Sequence, residues 1–319
     1  MRRLIGLAIL AALFCAAPVC LAQTPPSEGP TPPEEPGLSS RYVDLSTGVR
    51  MHYVEKGRND NRGKVVIFLH GYTDSWRSFE RNLPLLSDKF HAYAVDQRGH
   101  GESSKPACCY RAQDFSDDLA AFMDALRIPK ATIVGHSMGS LNAHKFAIAH
   151  PERVERLVLV GSATTLAGNP NVVGLYNDAV RHMEDPLSLF WEEFIYYFQK
   201  STFAGERGAP EEFLRTAVSE SLKVPAHVWK QALEEMLVED HTAQLPLIDA
   251  PTLILYGDFD GIFYRSDQDV LDALIPDSTL KVYYRELDSP HRGFPGHTGH
   301  GLHVEWPREF VDDLEAFVK

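Results

Sequence analysis

The segment ATIVGHSMG (131–139) joins a predicted strand to a predicted helix through a tight turn. Its first four residues form a short apolar run, typical of a strand that is buried on both faces. The sequence that follows is helix-like. A strand that turns sharply into a helix needs glycines where the backbone is crowded, and the G-x-S-x-G pattern supplies Gly135 and Gly139. Ser137 is therefore predicted to hold its hydroxyl up at the N-terminus of the helix.

Apolar runs of the same kind recur on both sides of this segment. Amphipathic segments such as 114–127 and 304–318 lie between or after them. Alternation of buried strands with amphipathic helices predicts a doubly wound α/β fold with a mostly parallel sheet. The predicted strands are RYVDLS (41–46), VRMHYVE (49–55), KVVIFL (64–69), AYAV (92–95), ATIV (131–134), RLVLV (156–160), TLILY (252–256) and KVYY (281–284).

The alternation stops between residues 164 and 246. This stretch has no strand pattern, and its segments 186–203 and 225–238 are typical of helices. We therefore expect a core formed by residues 41–163 and 247–319, with residues 164–246 as a helical cap inserted after the sixth strand. The aromatic-rich segment 190–198 could pack the cap onto the core or line an apolar pocket, and the two roles are compatible.

The N-terminus has the features of a secretory signal. Arg2 and Arg3 precede an apolar run, and small residues stand before a predicted cleavage site after Ala22. The run is short for a span of ~30 Å of hydrocarbon, so a cleaved signal (1–22) is favoured over a retained anchor. Residues 23–40 are rich in proline and predict a flexible tether. We expect a secreted or periplasmic protein without stable membrane insertion.

Charge and cysteine content narrow the possible partners. The full chain has a formal net charge of −13, and signal removal leaves 29 basic and 44 acidic residues. Such a balance disfavours nucleic acid or an anionic membrane as partner.

The cysteines that would remain, Cys108 and Cys109, are adjacent and could form a vicinal disulfide or stay as thiols. The sequence predicts no oligomeric state.

Several ordered motifs give the chain a plain resemblance to the cap-bearing branch of the α/β-hydrolase superfamily, from about residue 41 to the C-terminus. The resemblance implies an eight-stranded sheet and the order serine, acid, histidine along the chain. The motifs are HGY (70–72), DQRGHGES (96–103), GHSMG (135–139), GDFD (257–260) and GHGLHVEWP (299–307).

The resemblance implies a role for each matching residue. Ser137 would be the nucleophile, His300 the base that accepts its proton, and Asp260 the acid that orients the imidazole. The backbone N–H groups of Tyr72 and Met138 would form the oxyanion hole. No cofactor and no metal are expected.

Alternatives exist for two of these roles. Asp258 stands two residues before Asp260, although the family pattern places the acid at the second aspartate of G-D-x-D. His291, His297 and His303 share the C-terminal segment with His300. Four histidines could also suggest a metal, but the segment has no paired carboxylates or cysteines at ligand spacing.

The identity of the nucleophile limits the reaction. Haloalkane dehalogenases and epoxide hydrolases of the superfamily use aspartate at this turn, and dienelactone-type members use cysteine, whereas this chain has Ser137. The expected substrate is a small to medium, moderately apolar carboxylic ester or lactone. Thioester hydrolysis, carbon–carbon bond hydrolysis and cofactor-free perhydrolysis use the same triad, and a non-catalytic ligand-binding protein of this fold is a further alternative.

Overall fold

A computed structural model describes residues 37–57, 64–203, 205, 207–284 and 297–319. The predicted signal (1–22) and most of the predicted tether (23–36) lie outside these residues. The first strand begins at Leu38, so the expected start of ordered structure near Arg41 is late. Leu38 is buried in the core and pairs with Lys56 on the next strand, which draws residues 38–40 into the sheet.

The sheet has eight strands in the order β1-β2-β4-β3-β5-β6-β7-β8. The first two strands pair antiparallel to their neighbours, and the other pairings are parallel. The predicted fold class is thereby confirmed. The strands are β1 (Leu38–Asp44), β2 (Arg50–Lys56), β3 (Lys64–Leu69), β4 (Phe90–Val95), β5 (Ala131–His136), β6 (Val154–Val160), β7 (Thr252–Gly257) and β8 (Ser278–Tyr283).

Both faces of the sheet are covered, and β5 shows how. Successive side chains of a strand point to opposite faces, and Ile133 packs with one apolar cluster while Val134 packs with another. The helices are α1 (Ala112–Ala125), α2 (Met138–Ala149), α3 (Pro170–Asp178), α4 (Leu189–Thr202), α5 (Glu211–Leu222), α6 (Ala226–Val238), α7 (Arg265–Leu274), α8 (Leu302–Glu305) and α9 (Pro307–Phe317).

The segment between β6 and β7 contains α3 to α6, and we call residues 164–246 the helical insertion. A bridge between Thr165 and Asp240 joins its two ends. A third apolar cluster unites the insertion with the strand ends, because Trp229 and Ile195 pack in the same cluster as Tyr72 and Met138. The insertion therefore covers the edge of the sheet at which β3 and β5 end.

The C-terminal segment differs from its prediction in one respect. A single helix was expected over 304–318, but α8 ends at Glu305 and α9 begins at Pro307. Proline lacks an N–H and fixes its φ, so it begins a helix more readily than it continues one. Within the described part of the chain, no helix combines the length and apolarity needed to cross a bilayer.

Candidate active site

Ser137 occupies a strained turn between β5 and α2. Its φ of 52° and ψ of −120° lie outside the regions that non-glycine residues favour. A Cβ at Gly135 would overlap the carbonyl of Gly139, and one at Gly139 would overlap the carbonyl of Leu69. Glycine is therefore required on both sides, and the turn presents a half-buried serine at the start of α2. Backbone strain of this size persists where surrounding contacts fix it, and it is frequent at active sites.

His300 and Asp260 form a buried pair. The Nδ1 of His300 lies 2.7 Å from Oδ2 of Asp260, and the two side chains are 2% and 0% exposed. The other carboxylate oxygen accepts the backbone N–H groups of Ile262 and Phe263, at 2.8 and 3.0 Å. A carboxylate at Nδ1 selects the tautomer that donates from Nδ1 and keeps the lone pair on Nε2. Among the described residues, that Nε2 has no hydrogen-bond partner.

The end of β6 brings Ser137 and His300 to the same place. The N–H of Ser137 donates to the carbonyl of Val160 at 3.0 Å. An idealised Cβ on the next residue, Gly161, would be 2.8 Å from Nδ1 of His300. The ring of His136, which precedes the serine, lies 4.8 Å from the ring of His300. No hydrogen bond joins the hydroxyl to the imidazole in this state, and catalytic hydrogen bonds often form only once substrate is bound.

The alternative acid and base form a pair of their own. Asp258 lies 2.7 Å from Nδ1 of His297 and accepts the N–H of Thr298, and the histidine is 47% exposed. The more buried carboxylate–imidazole pair is therefore Asp260 with His300. His291 lies outside the described residues.

His136 and His303 are buried behind the pair. Burial, followed by the nearby histidines, lowers the pKa of His136 well below its usual value, and the same causes lower the pKa of His303 to about 3. Both rings are therefore neutral, and His303 lies 3.1 Å from the hydroxyl of Ser78. In the described part of the chain, no three residues of ligand type group to hold a metal ion.

The two predicted oxyanion donors lie beside the serine. Met138 is the first residue of α2, and the turn containing Tyr72 abuts Ser137, since an idealised Cβ on Gly71 would lie 3.2 Å from the serine Cβ. Neither N–H donates to a backbone or side-chain acceptor among the described residues. The positive end of the α2 dipole points at the same position. This arrangement suits a developing oxyanion.

The motif DQRGHGES braces the turns around the site. Asp96 accepts the N–H of Trp76 at 2.7 Å and that of Glu102 at 2.9 Å. Arg98 forms a buried ion pair with Asp118 at 2.7 Å. Through these contacts, Asp96 and Arg98 support the loops around the site.

Sequence reasoning missed a second Ser–His–Asp chain. Ser40 Oγ lies 2.8 Å from Nε2 of His52, and Nδ1 of the same ring lies 2.7 Å from Asp96. Ser40 is on a regular strand, away from any helix N-terminus or strained turn. The only available signal was the alternating pattern of β1 and β2, which does not reveal cross-strand hydrogen bonds.

The aromatic segment of α4 divides between packing and exposure. Phe198 packs against Tyr72 and Trp229, with ring centroids 6.3 and 5.9 Å apart. Phe190 and Tyr197 are 69% and 61% exposed. The helix thus presents one aromatic face to the site and another to solvent.

Comparison with known proteins identifies the family to which the chain belongs. A family model described as alpha/beta hydrolase fold matches residues 64–295. Epoxide hydrolase 3 of Mus musculus is 30% identical over 302 residues, which cover 86% of this chain and 75% of the relative. The 2-(acetamidomethylene)succinate hydrolase of Mesorhizobium japonicum is 39% identical over 121 residues, 38% of this chain and 42% of the relative.

A solved structure agrees over most of the chain. The esterase RhEst1 from Rhodococcus sp. ECU1013 superposes with a TM-score of 0.72 at 26% identity, covering 88% of this chain and 98% of the esterase. Some curated relatives are matched over only part of their length, with 27 to 42% of three of them covered. From the family match, the topology and the strained serine turn, we conclude that this chain belongs to the alpha/beta hydrolase fold family.

Proposed function

We propose that the protein is a serine hydrolase that cleaves carboxylic esters, including lactones, through an acyl-serine intermediate. The observation that carries this proposal is the strained Ser137 turn beside a buried Asp260–His300 pair whose Nε2 is unpaired in the described structure. A hydroxyl needs a nearby base to become a useful nucleophile, and this arrangement provides one.

The proposed mechanism has two acyl-transfer steps. His300 Nε2 accepts the proton of Ser137 as the serine oxygen bonds to the ester carbonyl carbon. The oxyanion binds the N–H groups of Tyr72 and Met138, and the intermediate collapses as the imidazolium returns its proton to the leaving alkoxide. His300 Nε2 then takes a proton from water as the water oxygen bonds to the acyl carbon, and the same N–H groups bind the second oxyanion. Its collapse breaks the bond to Ser137 Oγ and releases the carboxylic acid, while the imidazolium returns its proton to the serine. Asp260 stabilises the imidazolium during both steps.

Serine chemistry separates this proposal from covalent epoxide hydrolysis, although several curated relatives bear that name. An aspartate that opens an epoxide forms an ester, which water then cleaves. A serine that opened an epoxide would form an ether, which the same site could not hydrolyse. Ser137 is therefore suited to acyl transfer, where its product is a hydrolysable ester.

The surroundings of the site favour an uncharged, moderately apolar substrate. Tyr72 and Met138 share an apolar cluster with Trp229 and Ile195 of the helical insertion. The chain carries a net charge of −13, which does not attract anionic substrates. A small-molecule acyl or aryl ester fits these properties, and no nucleic acid or cofactor is part of the proposal.

We also propose that the protein acts outside the cytoplasm. The basis is the sequence alone, Arg2 and Arg3 before an apolar run and the cleavage pattern after Ala22. N-terminal sequencing of protein exported with its own leader should begin at Gln23. A retained Met1 would contradict this localisation.

A substrate panel tests the reaction. p-Nitrophenyl esters of graded acyl length, a lactone, a thioester, an epoxide and a peracid-forming mixture should be compared at matched enzyme concentration. We expect the largest kcat/KM for a short or medium ester, with an acyl adduct detected by mass spectrometry after rapid quenching. Turnover of the epoxide alone, without an acyl adduct, would contradict the proposal.

A further inference from the structure

The turn that carries one proposed oxyanion donor is held by three different helices of the insertion. We call residues 70–74 the oxyanion loop. The hydroxyl of Tyr72 donates to the carbonyl of Trp229 on α6 at 2.5 Å. Ser221 on α5 donates to the carbonyl of Thr73 at 3.1 Å, and the amide of Gln199 on α4 donates to Asp74 at 3.2 Å. Three consecutive loop residues thus each bind a separate helix.

The middle residue of this set has a strained backbone. Thr73 has a φ of 62°, a region that β-branched residues rarely adopt. Such a conformation is unfavourable and persists only where surrounding contacts fix it. The contacts that fix Thr73 come from the insertion, since Ser221 lies 3.3 Å from its hydroxyl in addition to binding its carbonyl.

The groups that hold the loop are also bonded to one another. Gln199 donates to the Ser221 hydroxyl at 2.8 Å, and the indole N–H of Trp229 donates to the Ser221 carbonyl at 3.4 Å. Gln199 is 2% exposed, and Ser221 and Trp229 are fully buried. Buried polar groups that satisfy each other give a rigid and specific arrangement. The network therefore has few alternative geometries.

We infer that Gln199 and Ser221 are positioning residues that set the oxyanion loop, so that the helical insertion contributes to the chemical step as well as to substrate enclosure. This inference rests on the proposed function. Oxyanion stabilisation requires donors already aimed at the developing charge. Without the amide and hydroxyl, the loop would relax from its strained conformation and the N–H of Tyr72 would lose its alignment.

The test compares Gln199→Met and Ser221→Ala with a matched control, Gln231→Met. Gln231 is another insertion glutamine whose amide donates to a core carbonyl, that of Ala107 at 3.0 Å, away from the oxyanion loop. We expect Gln199→Met to lower kcat by up to about 100-fold, the loss that a displacement of about 1 Å can produce. KM should change less than threefold, and Gln231→Met should match the parent.

A second readout separates positioning from packing. Boronic acids and trifluoromethyl ketones both form tetrahedral adducts with a nucleophilic serine. The trifluoromethyl ketone is the probe of choice here, because its adduct carries an oxyanion that binds in the oxyanion hole. Its inhibition constant should rise in Gln199→Met and Ser221→Ala by the same factor as kcat/KM falls, while a simple product acid binds equally to all variants. A purely structural role would lower the melting temperature and the active fraction and leave the inhibition constant unchanged.

Outcomes for the inference and for the proposed function can be told apart. If the parent protein neither hydrolyses esters nor forms a ketone adduct, the proposed function fails before any variant is compared. If the parent does both and the two variants match Gln231→Met in kcat and in ketone affinity, the positioning inference alone is wrong.

Discussion

Two Ser–His–Asp sets stand out among the described residues, and the better hydrogen-bonded one is not our proposed active site. Ser40, His52 and Asp96 form a continuous chain with contacts of 2.8 and 2.7 Å. In the other set, Asp260 and His300 are paired at 2.7 Å, but the imidazole Nε2 has no partner in the described part of the chain.

Backbone placement distinguishes the two sets. Ser40 lies on β1, whose backbone groups pair with β2. Ser137 lies on a strained turn at the N-terminus of α2, next to N–H groups with no protein acceptor among the described residues. Asp96 meanwhile binds the N–H groups of Trp76 and Glu102. We therefore expect catalysis at Ser137, where oxyanion donors accompany an accessible hydroxyl, and none at Ser40.

The largest expected effect separates the two serines. Ser137→Ala should lower kcat for an ester substrate by about 10⁶, as removal of the nucleophile does in other triad enzymes. Ser40→Ala should stay within twofold of the parent because that hydroxyl is expected to serve only the strand network. Steady-state kinetics on both variants measures the contrast, and comparable losses would show that the two sets were assigned wrongly.

The two carboxylates of GDFD give the next contrast. Asp260→Asn should lower kcat about 10⁴-fold, because an amide favours the wrong imidazole tautomer. Asp258→Asn should cost less than tenfold, since Asp258 pairs with the exposed His297. Single-turnover acylation rates would report the effect directly. A dead Asp258→Asn beside an active Asp260→Asn would reverse the acid assignment.

Gly161 tests the placement of the imidazole. Its φ is 52°, and a Cβ there would lie 2.8 Å from Nδ1 of His300, so Gly161→Ala should displace the ring and lower kcat about 100-fold. The matched control is Gly168→Ala, where φ is 77° and no atom lies within 4 Å of the added Cβ. If both variants lost activity to the same extent, backbone strain would explain the loss, and contact of the new Cβ with His300 would not.

The smallest effect concerns stability in acid. Burial raises the pKa of Asp96, but His52 and the N–H of Glu102 outweigh it, and the pKa falls from 3.8 to about 2. Because the folded-state pKa is depressed, the stabilisation is complete above about pH 4 to 5 and is lost as the pH falls toward 2. The contribution is about 2 kcal/mol in free energy of unfolding.

Urea unfolding between pH 6 and pH 2.5 measures that contribution. The parent should lose about 1.6 kcal/mol more than Asp96→Asn over this range, since part of the contribution remains at pH 2.5. Asp117→Asn, which changes an exposed carboxylate on α1, should follow the parent. If Asp96→Asn showed the same acid dependence as the parent, Asp96 would not be the support that we describe.

Local sequence predicted most of the fold. The run KVVIFL predicts the observed bounds of β3, because a short apolar run between polar residues has few conformations other than a buried strand. Strand β5 extends to His136, beyond the predicted Val134, since pairing with Val160 continues through the start of the turn. Strand β8 starts at Ser278, before the predicted Lys281. An edge strand tolerates polar residues, so its first residues lack the apolar pattern by which a strand is predicted.

Short motifs and their order along the chain predicted the main residues of the site. Contacts between residues far apart in sequence could not be predicted in this way. The strained turn at Ser137 follows from G-x-S-x-G. The contact of Gln199 with Asp74 joins residues far apart in sequence, and no periodicity signals it. The Ser40–His52 hydrogen bond is not predictable for a different reason, because the prolines of residues 23–40 predict a tether and not a strand with a cross-strand partner.

Mapping the site of covalent labelling tests the central claim most directly. A fluorophosphonate probe should be added to the parent, to Ser40→Ala and to Ser137→Ala, and the modified peptide identified by mass spectrometry. We predict one adduct, on Ser137, in the parent and in Ser40→Ala, and no adduct in Ser137→Ala. An adduct on Ser40 in the parent, or labelling that survives in Ser137→Ala and disappears in Ser40→Ala, would contradict the account.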